Sequence, residues 1–350
     1  MQLAQRSPHP IPRADLGVML RFARTMQRLA VLPEYASALA PQLPAAARHN
    51  PGHASILMGY DFHLTPDGPR LIEINNNAGG LFVGGDWLPQ PEWHELPGSL
   101  PERLLAMFVP EWRRIAIVDE SIERQFLYLE MVAYAELLRA SGRQVWLCSP
   151  EALAPCADGL CIEGAPIDAL YNRHCDFYFE QAAMAHVGAA WFAGRPAITP
   201  HPQSYGLLGD KRRMIDWWRE GFLETLLSAE EVALVRSIVP ECRLMAEVER
   251  EQAWRERERW VFKPGAGFGG KGVALGRISR QRFEEFDPAT TVMQRYVPPS
   301  EVALASGRYK FDLRLFMHGE RLIAIGGRVW QGQATNFRAA GSGWLPLVPA

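Results

Sequence analysis

The sequence predicts a mixed α/β protein, with a parallel-sheet unit placed ahead of α+β lobes. Three observations carry this expectation. Between 115 and 148 an apolar run, a helical run and a second apolar run follow one another, the pattern of strand, helix and parallel strand. Residues 59–80 alternate around a tight turn, as a hairpin does. Residues 260–273 form an apolar strand that breaks into five glycines within eight residues.

The elements follow in order. Residues 14–30 space Leu16, Met19, Leu20, Ala23, Met26 and Leu29 as an amphipathic helix. Short helical text broken by prolines runs to residue 57. The hairpin turns at Thr65-Pro66-Asp67-Gly68, where Pro presets φ and Gly accepts a positive one. A Pro-rich stretch, 88–101, leads to the strand Ile115–Val118, a helix over Glu123–Ala140 and the strand Gln144–Cys148. Extended pieces at 160–162 and 167–171 come next, then a helix over Phe179–Ala193. Glu247–Arg259 reads as a solvated, highly charged helix. A last hairpin, 311–328, turns at His318-Gly319-Glu320. The expected organisation is an N-terminal helical segment (1–57), the hairpin (58–82), the α/β unit (83–203) and two further lobes (204–350).

Composition narrows the function classes. A net charge of −2 over 350 residues argues against a generally basic nucleic-acid binder. No run of 18 apolar residues predicts a membrane span, and the first thirty residues hold no leader-like apolar stretch. The five cysteines form no Cys-x-x-Cys pair and read as buried reduced thiols. Together these predict a cytoplasmic enzyme. The nine histidines show no His-Glu-x-x-His spacing. His63 reads as a residue supporting or packing against a metal face, and His201 as a loop residue.

The hairpin carries the first chemistry. Asp61 lies five residues before Pro66 and Glu73 five after Gly68, so the two fall opposite or nearly opposite each other. Strand alternation puts Asn75 on the face of Glu73. Two carboxylates and an amide oxygen on one patch repel each other unless a cation is present. Too few for a full cage, they suit Mg²⁺ that completes its shell with water and phosphate oxygens. Lys263 ends the strand that precedes the glycine run, where backbone N–H groups can surround an anion. Farther on, Asp312 and Arg314 share one strand and Arg328 ends the next; Asn336 follows.

This set resembles the ATP-grasp superfamily in circularly permuted order. The hairpin that usually comes last stands first, as in eukaryotic-type glutathione synthetases and proteins similar to glutathionylspermidine synthetase. Ile72-Glu-Ile-Asn75 and Gly59-Tyr-Asp-Phe-His63 look like the corresponding runs of those families. The resemblance implies ATP and Mg²⁺ as cofactors, with Asp61, Glu73 and Asn75 on the metal. It places Lys211, Lys263, Gly265, Gly267, Gly269 and Gly270 on the phosphates. Gln294 would offer its backbone carbonyl, and Val297 its N–H, to adenine, with Glu301 on the ribose. Arg328 would touch the transferred phosphate, Arg314 the acyl phosphate or oxyanion, and Asn336 would lie near the phosphates. The last segment departs from the family's Asn followed by Gly-Gly, which leaves the role of Asn336 open. The implied activity is a carboxylate–amine ligase acting through an acyl phosphate. The expected partners are a small-molecule or peptide acid and an amine, with no nucleic acid or membrane, and a homodimer is the candidate assembly. A phosphotransferase without an amine acceptor and a non-catalytic nucleotide-binding regulator stand as alternatives.

Overall fold

The computed structural model describes residues 7–83, 86–87, 92–265, 272–332 and 342–350. Helix α1 (Arg13–Val31) starts after Pro12 and ends before Pro33. Its apolar stripe is buried as the spacing predicts, with Phe22 and Thr25 added to it. Phe22 packs edge-on against Tyr60 and Phe62, and Gln27 donates to the Tyr60 hydroxyl at 2.7 Å. The helix therefore covers the back of the hairpin β1 (Met58–Thr65) and β2 (Gly68–Asn75). That hairpin turns where expected, with Gly68 at φ 95°, and a bulge after Asp61 adjusts its register.

The α/β unit holds β3 (Arg114–Val118), α2 (Tyr128–Ala140), β4 (Gln144–Cys148), β5 (Ala169–Asn172), α3 (Ala185–Ala193) and β6 (Ala197–Thr199). Its strands are parallel in the order β6-β5-β3-β4. Both helices start later than the sequence suggests. Gln125 (ψ 141°) and Gln181 (ψ 145°) adopt extended backbone inside the two expected spans, and a helix cannot run through such a residue. The expected reduced state of all five cysteines needs a second correction. Cys156 and Cys161 form a disulfide across a small antiparallel sheet, while Cys148 and Cys242 are buried free thiols. Two thiols five residues apart meet only because the chain reverses between them, and no spacing rule foretold that.

A smaller sheet follows, built from β7 (Cys242–Leu244), β8 (Trp260–Pro264), β9 (Ala274–Leu275) and β10 (Thr291–Arg295) in the order β7-β10-β8-β9. Trp260, Phe262, Phe283, Phe286 and Met293 give it its own core. The charged stretch 247–259 is α-helical over Arg250–Arg255, where Glu249 caps the start by accepting the N–H groups of Glu251 and Gln252, and it ends in a 3₁₀ turn at Arg257–Arg259. Its charges are not simply solvated. Arg250 and Glu251 pair with Glu284 and Arg280 of the neighbouring helix, and Arg257 stacks on Trp254.

The chain closes with β11 (Ser300–Leu304), β12 (Gly307–His318), β13 (Arg321–Trp330) and β14 (Gly343–Leu345). These strands join the early hairpin in one antiparallel sheet, β14-β13-β12-β1-β2, with β11 also on β12. One apolar core runs from α1 through the hairpin to Leu313, Leu315, Ile325 and Leu345. No helix among the described residues is long and apolar enough to cross a membrane.

Candidate functional site

Strand register assembles the site. Asp61 stands opposite Glu73 on one neighbour and opposite Arg314 on the other. One strand farther, Arg328 stands opposite Asp312. Side chains directly across a sheet approach closely, so these pairings become contacts. Arg314 donates to Asp61 through Nε (2.6 Å) and Nη2 (2.7 Å). Arg328 donates to the same carboxylate at 2.6 Å and forms a bidentate pair with Asp312, both bonds 2.7 Å. Asn75 donates its amide nitrogen to Asp61 at 2.9 Å and to Glu73 at 3.3 Å. One nitrogen thus touches both carboxylates, and Asp61, Glu73 and Asn75 lie on one patch with Arg314 and Arg328.

The smaller sheet closes over this patch. Lys263 donates Nζ to the Ile72 carbonyl at 2.9 Å. Gln294, on the same face of that sheet, donates Nε2 to the Leu71 and Ile72 carbonyls at 3.3 and 3.4 Å. Lys211 sits in the turn just before the short helix Arg213–Asp216. Burial alone would raise the Glu73 carboxyl, but Lys211 and then Lys263 and Arg328 outweigh it and hold it below the usual range. Asp61 is likewise depressed: Arg314 and Arg328 overcome its complete burial. Lys263 is lowered, chiefly by burial. Three carboxylates therefore meet four cationic side chains, a balance that favours an anionic ligand.

The remaining expectations meet mixed outcomes. Gln294 does not offer a free backbone carbonyl. It stands within β10, with Cys242 across from it on one side and Val261 on the other. The next residue, Arg295, already bonds the Glu241 carbonyl, so the groups of Gln294 point to the Val261 side of the ladder. Its side chain offers something else: Oε1 is buried with no hydrogen-bond partner among the described residues. The Val297 carbonyl accepts from Nδ1 of His63 at 3.1 Å, so His63 is a packed supporting residue. Burial takes its pKa down to about 4. Glu301 remains exposed, 3.6 Å from Arg308. Gly265 donates to the Thr290 carbonyl at 2.8 Å, and a Cβ there would come within 2.9 Å of that oxygen. Gly267, Gly269, Gly270 and Asn336 lie outside the described residues. His201 is buried, with its ring nitrogens near the Ser204 N–H and the His53 carbonyl.

Sequence reasoning passed over the segment after Asn75. Asn77 donates to the Arg173 carbonyl at 2.7 Å, and Arg173 in turn donates to the Ala78 carbonyl. Glu130 accepts the Gly80 N–H at 2.6 Å, and Arg314 donates to the Gly79 carbonyl at 3.1 Å. Residues 77–80 thus join the patch to the α/β unit. The run Asn75-Asn-Asn-Ala-Gly-Gly80 was the available signal, because two glycines mark close approach. A Cβ on Gly80 would lie 2.2 Å from the Trp344 ring.

The residues present fit a magnesium–nucleotide ligand with one qualification of role. Glu73 is ionised, and Asn75 spends its nitrogen on the carboxylates, which leaves its oxygen for a cation. Asp61 spends Oδ2 on Arg314, Arg328 and Asn75, so a metal at Asp61 would have to share Oδ1 with the Arg314 Nε–H. Among the described residues no three His, Cys, Asp or Glu side chains form a metal cluster by themselves.

Fold and site define a mixed α/β protein whose buried, cation-rich patch lies where two antiparallel sheets meet. No protein-family model matches the chain. No curated protein matches it either. Among solved structures it is similar to one named "Putative gamma-glutamylcysteine synthetase" from Methylobacillus flagellatus KT. The TM-score is 0.56 at 13% identity, over 98% of this chain and 90% of that one. At that identity the likeness shows a shared fold.

Proposed function

We propose that this protein is an ATP-dependent carboxylate–amine ligase that works through an acyl phosphate, built as a circularly permuted ATP-grasp enzyme. The observation that carries the reading is the row Glu73–Asp61–Arg314, flanked by Arg328 and faced by Lys263. It unites a hairpin at 58–75 with strands at 307–330, as the permuted order requires. The neighbour's name, a gamma-glutamylcysteine synthetase, agrees with this class.

Bringing a carboxylate against a phosphate opposes two anions. Lys211, Lys263 and Arg328 offset that repulsion, and Arg314 meets charge that develops on the acyl group. Glu73 and the Asn75 oxygen would hold magnesium, which would supply positive charge to offset that of the phosphates. Asp61 holds both guanidinium groups in place, and Asp312 orients Arg328 from behind. The reacting partners are small acids and amines.

The test is incubation with ATP, Mg²⁺ and pools of amino acids, small peptides and polyamines, followed by mass spectrometry. ADP that appears only with a particular acid, and an amide that appears when an amine is added, support the ligase. A phosphorylated product that no amine consumes makes the protein a phosphotransferase.

A further inference from the structure

We propose that Asp119 forms an ammonium-binding subsite at the carboxyl edge of the parallel sheet, taking the primary amine of a substrate. This rests on the ligase reading for its purpose, but not for its geometry. The strand order β6-β5-β3-β4 places the first strand of the unit, β3, in the interior. The chain leaves β3 for β4 on one side, and β5 and β6 lie on the other. The switch point is therefore between β3 and β5, where open α/β sheets leave a crevice beyond their carboxyl ends. Asp119 is the first residue after β3 and Arg173 the first after β5. The Arg173 N–H donates to the Val118 carbonyl at 2.8 Å, which keeps the two strand ends side by side.

The two charges have different situations. Arg173 is 5% exposed and fully occupied. It donates to Asn77, to the Ala78 carbonyl at 3.2 Å and to the Tyr171 hydroxyl at 3.4 Å, and Glu130 lies 3.7 Å away. Glu130 balances its charge. Asp119 is only partly covered, and among the described residues the one hydrogen bond it accepts is the Glu120 N–H, at 2.8 Å. One carboxylate oxygen is left for a donor from outside. Burial pushes this carboxyl up to about 6, against the pull of Arg173, so it is ionised at neutral pH.

Location gives the subsite its use. Arg173 holds the Ala78 carbonyl, and Arg314 holds the Gly79 carbonyl at 3.1 Å. The proposed acyl-transfer arginine and the switch point therefore flank a single short loop. An amine anchored at Asp119 stands next to the place where an activated acyl group would form. Asp119 makes no ion pair of its own among the described residues, and Glu120 beside it adds to the negative charge that a cationic partner would meet.

Ligand-observed NMR on the full chain tests this with n-butylamine and its uncharged isostere 1-butanol. Wild type should bind butylamine and not butanol. Asp119→Asn should weaken butylamine at least about tenfold, the effect of one lost charge-assisted contact. Asp119→Glu should recover part of it. Binding should also fall as pH drops below about 6. Unchanged thermal unfolding of Asp119→Asn shows that the loss is local. Equal butylamine binding by wild type and Asp119→Asn, or equal binding of butylamine and butanol, overturns the subsite. Failure of the ligase reading shows separately, as ADP formation with no acid in the pool, and leaves these binding results standing.

Discussion

At the scale of single residues, Gln294 is the clearest case of a group waiting for a partner. A buried acceptor without a hydrogen bond costs roughly 1–3 kcal/mol, and Oε1 of Gln294 is one. Its Nε2 is committed to two carbonyls, so the amide faces any ligand as an acceptor. It should therefore favour ATP, with a 6-amino donor, over ITP, with a 6-oxo group, by about tenfold. Gln294→Met should erase the preference, as read by displacement of a fluorescent nucleotide; equal affinity of wild type for both would place Oε1 away from the base. Glu73→Gln should abolish ATP turnover. Because Lys211 and Lys263 stabilise the ionised Glu73, the change should also cost roughly 1–2 kcal/mol in urea unfolding. A variant as stable as wild type would contradict that electrostatic picture. The sequence showed Asp61, Glu73 and Asn75 as one patch because turn chemistry and alternation are local rules. It did not show that Arg314 and Arg328 both bind Asp61, because that depends on register between segments about 250 residues apart.

Elements explain where the sequence reading failed and where it held. Amphipathic spacing placed α1 well, and the turn residues placed both hairpins. The starts of α2 and α3 were misplaced because nothing in Gln125 or Gln181 announces an extended backbone. The segment 77–80 depends on such local conformation too. Gly80 has φ 95°, and a Cβ there would strike the Trp344 ring at 2.2 Å. Gly80→Ala should thus destabilise by about 2–4 kcal/mol, from backbone strain and overpacking. It should also impair the site by shifting Gly79 from Arg314. Thermal unfolding within about 1 kcal/mol of wild type would show that the segment yields easily.

For the whole molecule, buried histidines predict a pH dependence. Burial lowers His63 to about 4 and His201 to about 3, from an ordinary 6.5. The folded chain keeps them neutral while the unfolded chain takes up protons below pH 6.5. Stability should therefore be level above that pH and fall as pH drops toward 4, by about 1.4 kcal/mol per unit for each group. Urea titrations at pH 7, 6 and 5 read this directly; a flat profile would mean that these rings are solvated. The parallel sheet was legible as alternating apolar runs, and so was the smaller sheet's strand with Lys263. The junction between the sheets was not, because Lys263 and Gln294 reach backbone carbonyls, which carry no residue signature. If this junction activates a carboxylate, hydroxylamine should intercept the activated acid. With ATP, Mg²⁺ and an acid that triggers ADP release, hydroxylamine should trap the activated acid as a hydroxamate. Arg314→Ala should cut that rate by about 10²–10³, the scale for losing one oxyanion-type donor, with little change in ATP affinity. Nucleotide binding without ADP or hydroxamate under any acid, or a stable phosphorylated product in place of the hydroxamate, would contradict it.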